Sequence, residues 1–192
     1  MILEGVVTTC DADGRVNIAP MGGVVGEQGL ASPQLTLRPW RGSRTYENLR
    51  DTGQGVFHVT DDVLLIARAA VSHVDDVPVC PIEHVSVPRL VECCRWRAFQ
   101  VADADWSDHA SVQTQVIAEG RVRDFFGLNR AKFAVLEATI EATRLHLTGP
   151  APVLETIDCL RPLIDKTAGP AERRAFRLIE DHVRTAADRP SH

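Results

Sequence analysis

The first two-thirds of the chain alternates apolar and polar residues at the period of strands, and helical spacing takes over after Gly127. Ile2 to Cys10 is apolar and β-branched, Asp11-Ala-Asp-Gly14 is a turn signal, and Arg15 to Pro20 resumes an extended pattern. That order predicts a hairpin. Val24 and Val25 are expected to begin a third strand, which Gly26 and Gly29 bend or end, and Gln34 to Arg38 reads as a half-buried strand. A helix is expected over 43–51, capped by Ser43 or Thr45 and ended by Gly53. Gly55 to Thr60 is a short strand, after which Asp61 or Asp62 caps a second helix over 63–71. His73 to Pro88 holds three prolines and no period, and reads as a loop. Two long strands follow, Arg89 to Ala104 and Ser111 to Phe125, joined through Trp106-Ser-Asp-His-Ala110. Strands in this order suit an antiparallel barrel or sheet.

Beyond Gly127 the apolar positions Phe133, Leu136, Ile140 and Leu147, widened by Ala134 and Val135, form a helical face over 129–147. Gly149-Pro150 breaks it. A second helix over 153–166 contains Pro162 and is expected to kink or split. Pro170 opens a third, with Ala175, Phe176, Ile179 and Val183 along one side, and the tail 188–192 reads as frayed. The fold class is therefore β-barrel dominated (α+β), with a barrel domain over 1–126 and an all-helical domain over 127–192.

Composition narrows the function. The 192 residues suffice to bury a core without disulfides or structural metal. A net charge of −5 argues against a nucleic-acid partner, which calls for a basic face. No apolar run reaches membrane-spanning length, and the N-terminus meets acid at Glu4 rather than a basic leader region. Five cysteines, Cys10, Cys80, Cys93, Cys94 and Cys159, form an odd set with no C-x-x-C pair, which reads as reduced thiols of a cytoplasmic protein. Cys93 and Cys94, adjacent on an expected strand, would point to opposite faces.

One segment concentrates chemistry. Arg38, Arg41 and Arg44 lie within seven residues, interleaved with Gly42, Ser43 and Thr45, where a helix begins. A helix N-terminus presents unpaired N–H groups and partial positive charge. Arginine adds a planar fork that matches phosphate or carboxylate oxygens. The competing reading is a surface turn whose arginines pair with Asp51, Asp61 or Asp62. Local chemistry alone says anion, without naming one.

Three blocks in order extend this reading: Arg15-Val-Asn-Ile-Ala-Pro-Met-Gly22, Leu37-Arg-Pro-Trp-Arg-Gly-Ser-Arg-Thr-Tyr-Glu-Asn-Leu49 and Gly53-Gln-Gly-Val-Phe-His-Val-Thr-Asp61. The sequence here resembles the FMN-binding split barrel shared by flavin reductases, flavoredoxins and pyridoxamine-phosphate-oxidase-like proteins, and within it a family of unassigned function with a helical C-terminal part. The resemblance covers residues 1–125 and implies FMN as cofactor. It implies that Asn17, Ala19, Pro20, Met21 and Gly22 lie along the flavin ring. The phosphate would fall to Arg38, Arg41, Ser43, Arg44 and Thr45, and the ring's polar edge to backbone groups of His58, Val59 and Thr60. It further implies a homodimer with flavin near the subunit interface, and small-molecule electron donors and acceptors, with NADH or NADPH as donor. Two positions depart from the pattern: flavin reductases usually carry Ser or Thr near Ala19-Pro20, and asparagine often stands where this chain has His58. Three functions stay open: an FMN-dependent oxidoreductase, a non-catalytic flavin carrier, and a binding module for another phosphorylated metabolite.

Other groupings carry less. His73, Cys80 and His84 fit no zinc spacing. Gly22-Gly23-x-x-Gly26-x-x-Gly29 lacks the helix that a dinucleotide loop requires. Asp103, Asp105 and Asp108 read as a solvated turn. Arg89, Arg95 and Arg97 alternate with apolar residues and make one face of their strand basic, either as a polar outer face or as a substrate or phosphate contact.

Overall fold

A computed structural model of the chain describes residues 1–188, so all but the first residue of the tail read as frayed lies outside the described residues. β1 (Ile2–Cys10) and β2 (Val16–Val24) form the expected hairpin, paired from Ile2↔Val24 to Cys10↔Val16. Its turn is set by Asp11, whose Oδ1 accepts from the backbone N–H of Asp13 and Arg15 at 3.0 and 2.9 Å, and by Gly14 at φ 79°. β2 continues unbroken through Met21-Gly22-Gly23, so Val24 ends that strand instead of opening a third. The β-compatible glycines there keep their ladder partners, and nothing stops the strand before Val25.

β3 (Gln34–Leu37), α1 (Arg44–Thr52), β4 (Gln54–Val59) and α2 (Val63–Val71) follow close to expectation. Ser43 caps α1 by accepting from Tyr46 N, and Gly53 ends it in the left-handed conformation. The proline-bearing stretch after α2 is not a loop throughout. β5 (Val79–Ile82) and β6 (Val85–Leu90) form a two-stranded ribbon around a turn at Glu83 and His84, with His84 at φ 62°. Edge strands tolerate proline, which explains how Pro81 and Pro88 sit in it. The long strand expected from Arg89 is accordingly divided: β6 ends at Leu90, and β7 (Arg95–Asp105) starts after Cys93 and Cys94. Both cysteines are buried between strands, and burial pushes the Cys93 thiol up to about 11. β8 (Ser111–Arg121) completes the barrel and stops short of Phe125.

The barrel closes in the order β1-β2-β3-β8-β7-β4, with every pairing antiparallel. Val7, Leu35, Leu37, Phe57, Phe99 and Val112 fill it, and Leu49 of α1 joins them. Each such side chain, fully buried, stabilises by about 1.5–3 kcal/mol. Gly5 is required where Phe57 crosses: a Cβ there would lie 2.4 Å from His58 O and 2.8 Å from the Phe57 ring. The β5–β6 ribbon covers a second face, over Cys10, Val56 and Ala98. Thr8 Oγ1 donates to Pro88 O at 2.7 Å, and Gln54 Oε1 accepts from Ser86 N and Oγ at 3.1 and 2.7 Å.

The chain divides into two compact units. One is Met1–Thr60 with Val74–Phe125; the other takes Asp61–His73 together with the helices beyond Phe126. The boundary at residue 126 thus misses α2, whose Val63 and Ala67 pack in the helical core. That unit also holds α3 (Arg130–Thr143), α4 (Leu145–Thr148), α5 (Pro150–Thr167) and α6 (Pro170–Ala187). α5 remains one helical segment through Pro162, so the expected split does not occur. The buried stripe of α3 is Ala131, Ala134, Val135, Ala138 and Ala142, while Phe133 is 45% and Leu147 67% exposed. Alanine wins those positions because small side chains let helices approach closely. Ala175, Phe176, Ile179 and Val183 of α6 are buried as expected.

Candidate functional site

The site builds outward from the turn between β3 and α1. Gly42 sits at φ 80°, and a Cβ on it would meet nothing within 4 Å, so its backbone faces open space. Ser43 N donates to Trp40 O at 3.0 Å, closing the turn, and α1 starts at once. The first-turn amides of a helix have no internal carbonyl partners, and this end of α1 carries the positive pole of its dipole. Arg38, Arg41 and Arg44 are exposed around it.

Beneath the turn the polar residues are ordered. Asn17 Nδ2 donates to Thr45 Oγ1 at 3.1 Å, and Asn48 Nδ2 donates to Thr9 Oγ1 at 2.9 Å. All four side chains are buried. They tie α1 to the β1–β2 hairpin and fix the orientation of its N-terminus. Tyr46 OH donates to Trp106 O at 2.7 Å, and the two rings meet edge to face at 5.2 Å. The β7–β8 connection is thereby held against α1. Arg41 pairs with Asp108 of that connection, and the carboxylate raises the arginine's pKa through a hydrogen bond and its charge.

Beside the turn lies a cleft of about 480 Å³ lined by Arg38, Pro39, Trp40, Asp108, His109, Ala110 and Ser111. Trp40 is 65% exposed there, an unusual position for an indole. Sequence reasoning missed His109 and assigned no role to Trp40. Their closeness depends on β3 pairing with β8 at Leu37↔Val112, a long-range register that local spacing does not encode.

The remaining candidates are placed differently from one another. Along β2, Asn17, Ala19 and Met21 share one strand face, while Pro20 and Gly22 are on the other. They do not present a single surface of side chains. The registers set Pro20, Val6, His58 and Trp96 in one row across β2, β1, β4 and β7. His58 is fully buried in that row. Its Nδ1 donates to Val6 O at 3.1 Å, and its Nε2 accepts from Leu90 N at 3.0 Å. Both ring nitrogens are engaged, which fixes the Nδ1–H tautomer. Burial pushes its pKa down to about 4. The imidazole joins the ribbon to the barrel and is closed to a ligand. Val59 O accepts from Cys94 N at 2.9 Å, and Thr60 is buried. The bond from Asn17 to Thr45 ties β2 to the candidates around the α1 start, and the β4 candidates are placed by their pairing with β1 and β7.

What this arrangement can do chemically is hold a compact dianion at the α1 N-terminus. Ser43, Gly42 and the arginine forks form a donor set suited to a phosphate monoester. The adjoining cleft, with one open indole and His109, offers a place for the rest of such a molecule.

Comparison with known proteins agrees. A model described as the N-terminal domain of a protein of unknown function, DUF447, matches residues 3–123, and its companion model matches 129–181. Among solved structures, an FMN-bound protein from Methanosarcina mazei is 28% identical, covers 94% of each chain and superposes with a TM-score of 0.79. A flavoredoxin from Desulfovibrio vulgaris is 14% identical with a TM-score of 0.54, covering 63% of this chain and 70% of its own. An FMN-binding protein from Thermus thermophilus, with bound 1-cyclohex-2-enone, is 16% identical with a TM-score of 0.52, over 62% and 70%. The last two share the barrel fold. With both models matched in order, one over the barrel strands and one over the C-terminal helices, the chain belongs to the DUF447 family.

Proposed function

We propose that this chain binds FMN and works as a flavin-dependent oxidoreductase. The observation that carries the reading is the α1 N-terminus: a capped helix start with an open glycine, two hydroxyl residues and three arginines, fixed from below by Asn17 and Asn48. The FMN-bound Methanosarcina protein, similar over nearly the whole chain, supports the same ligand. Bound FMN would supply the redox chemistry, and the protein would orient it and tune its potential. Arg38, Arg44 and Ser43 would hold the phosphate, with Arg41 doing so at the expense of its pair with Asp108. Asn17 and Thr45 would set the cradle. Ala19, Pro20, Met21 and Gly22 would run along the ring as one strand, offering side chains from one face and only backbone atoms from the other. His58, Val59 and Thr60 would contribute at most backbone groups, since the His58 ring is closed off.

The electron donor would be NADH or NADPH, and the acceptor a small molecule. Two copies of the chain would share flavin near their interface, and free cysteines throughout suit a reducing cytoplasm. Among the described residues, no helix is long and apolar enough to cross a membrane.

The purified protein is expected to show a flavin spectrum and to release FMN on denaturation, and a colourless protein that fails to take up added FMN would overturn the reading. Anaerobic NADH or NADPH should bleach the bound flavin; a flavin that stays oxidised would make the protein a carrier. Arg44→Ala should weaken FMN binding by about tenfold or more and riboflavin binding little, because only FMN carries the phosphate. Equal losses for both ligands would remove the phosphate assignment. Light scattering of the FMN-bound protein should give the mass of a dimer.

A further inference from the structure

A second basic site lies at the far end of the β7–β8 hairpin, roughly 30 Å of strand away from the Asp108 connection. Here Arg95 is paired directly with Arg121, and Arg97 with Glu119. Directly opposed like charges destabilise a sheet, so this pairing needs a compensating interaction. Arg97 is 4% exposed. Its Nε donates to Glu119 at 3.0 Å and its Nη2 to Ser32 O at 2.5 Å, while Nη1 is buried with no protein partner. A buried guanidinium nitrogen left unpaired is costly.

These residues, with Leu30, Trp96 and Gly120, line a cavity of about 220 Å³. Two carboxylates face the three guanidinium groups. Glu119 is 62% exposed, and Asp124, the partner of Arg121, is 84% exposed, so water screens both strongly. Arg97 is screened far less because its side chain is only 5% exposed. The positive field therefore remains in the cavity. Local rules are broken twice here, by the opposed arginines and the unpaired nitrogen, and such breaks are expected at ligand sites.

We propose that this cavity binds a phosphoryl group. Forks from Arg95 and Arg121 would take its oxygens, backed by the buried charge of Arg97. Arginine forks match tetrahedral oxyanions two oxygens at a time, and the opposed pair would change from a repulsion into a clamp. The cavity's size admits the group with a small attached moiety. The assignment is separate from FMN binding at α1, and none of its residues belongs to that cradle.

Isothermal titration of the FMN-saturated protein tests it, at constant ionic strength held with chloride. Inorganic phosphate, ribose 5-phosphate and citrate serve as probes. Saturable binding of phosphate or the sugar phosphate is expected, weakened about tenfold by Arg95→Gln and again by Arg121→Gln. Both residues are exposed, so neither change threatens the fold. Glu119→Gln should tighten binding by removing the competing carboxylate. Tighter binding of ribose 5-phosphate would identify a phosphorylated metabolite as the source, and equal or weaker binding would identify free phosphate. Absence of saturable binding overturns the proposal. So does binding that both arginine variants retain, or citrate binding as tight as that of the phosphates. Arg95→Gln and Arg121→Gln should leave FMN affinity unchanged, so failure of the FMN reading and failure of this one are told apart.

Discussion

The barrel unit and the helical unit bury different things. The barrel unit encloses Thr8, Thr9, Asn17, Thr45, Asn48, His58, Thr60, Arg97 and Thr114. The helical core is alanine, valine, isoleucine and Phe176, and the buried polar residues described in that unit are Asp61, Thr139 and Glu172. Thr139 donates to Val135 O at 2.7 Å within its own helix and Glu172 accepts from Gly169 N at its helix start, while Glu172 also pairs with Lys132 and Asp61 accepts from Phe126 N across long separations. In the barrel unit the buried polar groups bond across long sequence separations, as Asn17 does to Thr45 and His58 to Val6 and Leu90. Local satisfaction builds a helix; distant satisfaction fixes one element against another. The unit that holds the candidate site uses more of its buried polar groups to position one element against another.

The largest test of that contrast is core truncation. Phe57→Ala should cost about 3–5 kcal/mol, because the ring fills the barrel between Gly5 and Gly23 and strands paired into a closed sheet relax little. Urea denaturation of the variant measures it. A loss under about 1 kcal/mol would mean that the barrel interior collapses around the gap.

Acid should separate the units next. His58 is neutral in the fold, with its pKa pushed from 6.5 to about 4 by burial. The unfolded chain takes up that proton first, so this contribution is intact above pH 6.5 and is lost as pH falls toward about 4. The total is roughly 3 kcal/mol. Glu180 of the helical unit behaves differently: hydrogen bonds from Arg161 and Arg184 lower its pKa, so its contribution fades only below the ordinary carboxylate value of 4.5. Denaturation midpoints between pH 7.5 and 4.5 should fall for the native chain and flatten for His58→Gln. An equal slope in both would show that His58 does not control it.

Crowding probes the helical side. Ala138 is fully buried on α3, and Ala138→Leu should destabilise by about 1–3 kcal/mol, since close helix approach leaves no room for the added carbons. A neutral or stabilising result in thermal melts would show that the alanine stripe lines a gap.

How much of this was readable from the chain follows the same divide. The helix over 63–71 and its Asp62 cap were legible because the cap and the apolar period are local. The Ser43 cap and the start of α1 at Arg44 were legible for the same reason. The β5–β6 ribbon was hidden by Pro78, Pro81 and Pro88, whose edge-strand tolerance shows only once a sheet is present. His58 reads as an ordinary polar strand residue until Leu90 N is found on its ring. His109 joined the cleft, and α2 the helical unit, through contacts that no spacing announces. In α3 the period was right and the face was shifted, because large apolar residues were weighted above alanine.

The smallest expected effect on stability bears most directly on the site. Arg41 and Asp108 are both well exposed, so solvent screens their ion pair, and Arg41→Gln should leave the melting temperature almost unchanged. Ligand binding is a different matter. A phosphate held at the α1 N-terminus, as proposed, would compete with Asp108 for the same guanidinium, so Asp108→Asn should raise FMN affinity while Arg41→Gln lowers it. Opposite shifts at constant stability would make the pair a gate on the cradle. Matching shifts, or none in either variant, would confine Arg41 to joining the two turns and leave the phosphate to Arg38, Ser43 and Arg44.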